Sequence, residues 1–180
     1  MLIYNIKFVM NIFFLHRNPN KCAMYHCDKH VVKMILESAQ LLYTCFAMCH
    51  KNPALISSAP LTKSGNNGYR PCFHNHPCAI WLRKSKDNYI WLCEMTLALC
   101  KEYTYRYNKV HTTEKHIHWL YNQSCNINIR SKGLTKLALA MPDKYKCQST
   151  KKSYRNYYIG DKRDFARWTR RSIPKWYSNF

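Results

Sequence analysis

Glu37 is preceded by Lys33, His30 and His26 at spacings of four, three and four residues, so a helix would stack these four side chains along one face. A cationic groove would favour the ionised form of this carboxylate and suit it to stabilising a positive centre. The plainer reading of the same spacing is a solvated face on which Glu37 pairs with Lys33 for about a few tenths of a kcal/mol. A second cluster, His74-Asn75-His76 between Cys72 and Cys78, has metal-donor types but no standard ligand spacing. Loop capping or substrate contact is therefore expected there, and no metal or other cofactor is expected anywhere in the chain.

Charge decides which substrates suit such a face. The chain carries 29 Lys and Arg against 9 Asp and Glu, a formal charge of +20. Solubility asks only for a net charge of about 2–8, so a polyanion is the expected partner, nucleic acid before an anionic membrane. Candidate nucleic-acid contacts are Lys33, His26 and Arg70, together with Arg170, Arg171, Lys175, Trp176 and Tyr177 near the C-terminus, where cations for phosphates alternate with rings that can stack on bases. Hydrophobic residues make up 47% of the chain, which excludes disordered and collagen-like architectures. Ten cysteines without a C-x2-C pair read as reduced thiols and hence an intracellular protein.

The elements that must position these residues follow from periodicity. The first fifteen residues are apolar but lack a basic leader and include Asn5, Lys7 and Asn11, so they fit neither a signal peptide nor a membrane span. Residues 1–9 read as an optional N-terminal extension, with Met10 as an alternative start. A long amphipathic helix is expected from about Cys22 to His50. Residues 51–78, rich in Pro, Gly, Ser and Asn, form a long connection. A short helix from Ala79, a break near Ser85–Asp87 and a long helix to Asn108 follow, then a helix from Thr112–Glu114 to Tyr121. An irregular stretch, 122–148, leads to a last helix over about 150–169 and a basic, aromatic segment at 170–180. The expected fold is all-α: one compact domain spanning 1–180, with four to five helices and long loops, acting as a monomer without a membrane.

The segment Cys27-Asp28-Lys29-His30-Val31-Val32-Lys33-Met34-Ile35-Leu36-Glu37 resembles the N-terminal helix of the pyrimidine-dimer DNA glycosylases of the endonuclease V type, in which an Asp-x-His precedes the catalytic Glu by the same interval. The run Trp91–Lys101 is similar to the long second helix of that family. Ile173-Pro174-Lys175-Trp176-Tyr177 resembles its aromatic C-terminal segment, which meets damaged DNA. The resemblance implies a DNA-repair glycosylase, with or without abasic-site lyase activity, acting on damaged pyrimidines in duplex DNA. It implies that Glu37 is the catalytic carboxylate and that His30 assists it. The chain departs from the family at the nucleophile, the α-amine of an N-terminal Thr, because Leu2 follows Met1 and Asn11 follows Met10. The competing class is a non-catalytic basic nucleic-acid-binding protein, with or without zinc.

Overall fold

A computed structural model describes residues 10–178. Among them the regular structure is helical: α1 (Pro19–Tyr25), α2 (Asp28–Cys49), α3 (Pro77–Leu82), α4 (Lys86–Tyr107), α5 (Glu114–Asn122), α6 (Thr150–Asp161) and α7 (Lys175–Ser178), with 3-10 turns at Pro53–Ser58, Gln123–Asn126 and Asp143–Tyr145. The all-α expectation holds. The helix starts obey local chemistry. Pro19 and Pro77 open α1 and α3, where a missing N–H costs nothing. The side chains of Asn18, His76 and Ser85 accept from the free N–H groups of the first turns of α1, α3 and α4.

The two 22-residue helices α2 and α4 pack together at the centre, with α1 against α4 and with α3 and α5 closing the sides. By length and hydropathy α2 could span a membrane, but it is the central core helix, 67% of its most apolar window being buried inside the molecule. Met10, Ile12, Phe13 and Leu15 enter the core as irregular chain rather than as a strand. Tyr154, Tyr157 and Tyr158 of α6 face inward against them.

The helix expected over 22–50 is in fact two. His26 and Cys27 are extended, with ψ of 134° and 163°, and they separate α1 from α2. The cause lies far along the chain. Arg106 of α4 donates to the carbonyls of Met24 and His26, so the acceptors at the end of α1 are satisfied from outside the helix. The last helix also ends earlier than expected, at Asp161, and the chain from 162 onward returns over α2 through the Asp28 N–H to Arg167 carbonyl bond.

The break removes His26 from the face assigned to it. His26 is fully buried, its Nδ1 donates to the Cys22 carbonyl at 2.8 Å, and its Nε2 has no partner. Burial pushes its pKa down to about 4. His30, also buried, is held low mainly by desolvation, with His26, Lys162 and Lys33 adding repulsion. Because these folded values lie below the unfolded value of about 6.5, the unfolded chain takes up protons first. The contribution to stability is complete above about pH 6.5 and is lost as pH falls toward 4. His26 alone should cost about 2 kcal/mol by pH 5. Glu37, whose pKa is raised, works weakly in the opposite direction. The urea midpoint should fall between pH 7 and pH 5; a flat profile would contradict this placement of the two imidazoles.

Candidate active site

One face of α2 is left without a helical partner. The long connection lies across it, leaving a cleft of about 1350 Å3 between α2, residues 53–71 and the turn His111–Thr113. The connection is fixed rather than loose. Asn67 Nδ2 donates to the carbonyls of Ser57 and Ala59, and the Tyr69 hydroxyl meets Thr113 Oγ1 at 3.0 Å. Thr44 of α2 accepts from the Cys72 N–H and donates to its carbonyl. Gly68, at φ +72°, packs its backbone against the Tyr43 ring, where a Cβ would meet Cε1 at 2.4 Å. Any side chain at Gly68 would push this wall away from α2.

Glu37 lies in that cleft and is the one carboxylate among its lining residues, beside Lys33, Lys63 and Arg70. Its side chain is only 9% exposed. Oε1 pairs with Lys33 Nζ at 3.0 Å, and Oε2 accepts from the Asn11 backbone N–H at 3.2 Å. The sequence reading expects the cationic surroundings to favour the ionised form. The balance is otherwise: desolvation raises the Glu37 pKa, and Lys33 and the Asn11 N–H offset only part of that rise. The result is a carboxyl that can hold positive charge when ionised and deliver a proton when neutral. It lies in a groove with Val32, Leu36 and Ile56 as apolar floor and rim.

The other sequence candidates divide sharply. Lys33 and Arg70 are exposed and line the cleft. His30 does not: its ring stacks on Phe13 at 4.3 Å, and its Nδ1 bonds the Tyr158 hydroxyl, inside the core. His26 is buried beside it, so neither imidazole presents itself to a ligand in the cleft. Asp28 of the Asp-x-His motif binds Arg106 and caps Thr169. Of the motif, only Glu37 reaches the cleft.

The C-terminal candidates lie elsewhere on the surface. Arg171 forks onto Glu102 at 2.7 and 3.0 Å, Trp176 packs under the Arg155 guanidinium at 4.8 Å, and Tyr177 meets Trp168 edge-on at 4.7 Å. These three hold the returning chain in place, while Arg170 and Lys175 remain exposed. Arg170 still anchors its own segment through the Tyr105 carbonyl. His76 caps α3 through the Cys78 N–H, as a loop-capping reading of His74–His76 expects.

Sequence reasoning missed Asn11, Gln40, Lys63, Tyr69 and His111. The last four line the cleft, and the polar stretch Thr62–Gly68 was the only local signal for any of them. Asn11 gave none, since its part is played by a backbone nitrogen. Its side chain is locked by the Ala140 carbonyl and the Tyr154 hydroxyl.

No curated protein and no solved structure matches the chain. A family model described as pyrimidine dimer DNA glycosylase matches residues 10–115, more than half of the sequence. Every residue lining the cleft falls within that span, as does Asn11, whereas the C-terminal segment lies outside it. A cationic cleft built around one buried carboxylate, on a helical scaffold that this match covers from Met10 through α4, thus has a known setting: the chain belongs to the pyrimidine dimer DNA glycosylase family.

Proposed function

We propose that the chain excises dimerised pyrimidines from duplex DNA and that Glu37 carries the chemistry. The observation behind this reading is the pair of contacts on the Glu37 carboxylate: Lys33 Nζ on one oxygen and the Asn11 main-chain nitrogen on the other, at the wall of a cationic cleft. The cleft supplies phosphate contacts through Lys33, Lys63 and Arg70 and an apolar surface for a base turned out of the stack.

The reaction needs a neutral amine. It attacks C1′ of the damaged nucleotide, the bond from C1′ to the base breaks with the electron pair leaving on the base, and the base takes up the proton that the attacking nitrogen sheds. Neutral Glu37 protonates O4′ as the sugar ring opens, which leaves an iminium at C1′ beside the new carboxylate. Loss of a proton from C2′ then expels the 3′ phosphate by β-elimination, and water releases the chain from the sugar.

A peptide nitrogen cannot start this sequence, because its lone pair is delocalised. A chain whose first residue is Asn11 would instead carry an α-amine at that place, with an ordinary pKa of about 7.7–8.0 and so a substantial neutral fraction near pH 7.5. We assign the lyase nucleophile to that amine. Lys33 is the only other nitrogen on the carboxylate in the described residues.

The test is a duplex oligonucleotide with one cyclobutane dimer, incubated with borohydride and either the 1–180 chain or one beginning at Asn11. The expected result is a covalent adduct mapped to the Asn11 amine in the shorter chain, with cleavage of one glycosyl bond and strand scission. An adduct that persists in the longer chain but is lost in Lys33→Met would reassign the nucleophile to Lys33. Binding without glycosyl-bond cleavage by either chain, or stoichiometric zinc, would favour the non-catalytic reading.

A further inference from the structure

Asn11 is a polar residue at a place where packing alone asks for an apolar one. Met10, Ile12, Phe13 and Leu15 around it are buried in the core, and Asn11 itself is only 5% exposed. A buried amide is tolerated when its bonds are made, and here they are. Nδ2 donates to the Ala140 carbonyl at 2.7 Å, while Oδ1 accepts from the Ile12 N–H at 2.8 Å and meets the Tyr154 hydroxyl at 3.1 Å. Tyr154 is fully buried on α6, and its one hydroxyl hydrogen is shared with the Ala138 carbonyl at 2.8 Å. Ala138, Ala140 and Tyr154 all lie beyond the residues that the family model matches.

The main-chain nitrogen of the same residue is 3.2 Å from Glu37 Oε2. In a chain beginning at Asn11 that nitrogen is the terminal amine, and a first residue ordinarily frays because nothing before it holds it. Keeping it still costs conformational entropy, and a reacting group misplaced by about 1 Å can lose about 100-fold in rate. The side-chain bonds of Asn11 reach into the core on the side away from the chain start, so they can hold the residue without occupying its amine.

We propose that the Asn11 side chain, gripped by Tyr154 and the Ala140 carbonyl, is a clamp that aims the amine of a chain beginning at Asn11 at Glu37 and the sugar carbon, with Tyr154 as a positioning residue. This rests on the assignment of the lyase nucleophile to the Asn11 amine. A buried amide that only ties the chain to α6 would affect melting and leave the chemistry alone.

The test uses the chain beginning at Asn11 as wild type, Tyr154→Phe and Asn11→Ala, the last of which keeps an α-amine. The control is Tyr158→Phe, which loses a buried hydroxyl of the same helix that bonds Cys27 and His30 instead. On a dimer duplex in single turnover, borohydride trapping should slow about 10- to 100-fold in Tyr154→Phe and Asn11→Ala. The dissociation constant for the duplex should change by less than about twofold, as expected when only the reacting geometry is lost. Tyr158→Phe should melt lower yet trap within about threefold of wild type. A second readout needs no reaction. The pKa of the Asn11 amine, followed by NMR with isotopically labelled asparagine, should fall when Glu37→Gln removes the carboxylate beside it, and should fall less when Tyr154→Phe is already present.

An Asn11 adduct that forms at an unchanged rate in both Tyr154→Phe and Asn11→Ala would overturn the clamp and leave the nucleophile in place. So would an equal loss in Tyr158→Phe, or a rate loss matched by a loss of affinity. No adduct, or one on Lys33, removes the nucleophile instead. A link between the amine and Glu37 that depends on Tyr154 would then still support the clamp, and a link indifferent to Tyr154 would remove it as well.

Discussion

Arg106→Met is expected to lower the unfolding free energy by about 3–5 kcal/mol, which for a chain of this size is roughly 10 °C in melting temperature. Arg106 is fully buried, and all five of its N–H groups are used. Nη1 donates to Asp28 at 2.9 Å and to the His26 carbonyl, Nη2 to Glu102 at 3.0 Å and to the Met24 carbonyl, and Nε to Glu102. Methionine fills similar space but leaves Asp28 and two carbonyls without this donor, and it leaves Glu102 with Arg171 alone. Groups stranded in this way carry their full desolvation penalty. Arg106→Lys should recover little, since one ammonium with three N–H groups cannot serve four acceptor atoms spread around a planar fork. The same guanidinium ends α1 and fixes the start of α2, so the loss should also loosen the C-terminal chain that Asp28 holds through Thr169. Urea titration with a shift below about 1 kcal/mol would contradict this account of the junction.

Glu37→Gln should reduce the single-turnover rate on a dimer-containing duplex by about 10²- to 10³-fold, the loss typical when one group that stabilises developing charge is removed. Glutamine keeps the shape and still offers an oxygen to the Asn11 N–H, so the cleft wall should stay in place. The affinity for the same duplex should hold or improve, because a negative charge is removed from a surface that binds phosphates. Stability should not fall either. Burial raises the Glu37 pKa, which means that the folded protein bears a cost for the ionised carboxylate that the amide avoids. In wild type, ring opening needs Glu37 neutral, so the rate should carry a limb that falls as pH rises through this raised value, above the ordinary carboxylate pKa of 4.5. A Glu37 limb at or below that value would place Glu37 in water rather than in the partly desolvated site described above.

What could be read from the sequence was what local chemistry controls. The break at Ser85 before α4, the start of α5 after Thr113 and the long connection over 51–78 all follow from caps, prolines and glycines. The spacing from Asp28 to Glu37 singled out the carboxylate that lines the cleft, and the match over residues 10–115 gives the chain a family. The failures came from partners distant in the chain. His26 left the helix because Arg106, eighty residues on, takes its carbonyl. His30 turned inward because Phe13 and Tyr158 supply a stacking ring and a hydroxyl. Helical spacing put His30 and Glu37 on one face, but that face is part core and part cleft, and period alone does not locate the boundary. Arg171, Trp176 and Tyr177 looked like free nucleic-acid contacts until Glu102, Arg155 and Trp168 were seen to hold them. The Asn11 nitrogen belongs to the backbone, and no residue type announces it.

The most direct measurement is nicking of supercoiled plasmid, ultraviolet-irradiated and intact, by wild type and by Glu37→Gln in the chain form that traps with borohydride. The account predicts nicks that rise with ultraviolet dose for wild type, none above background in intact plasmid, and none for Glu37→Gln although it still binds the irradiated DNA. Equal nicking of irradiated and intact plasmid, or a Glu37→Gln protein that nicks at the wild-type rate, would contradict it.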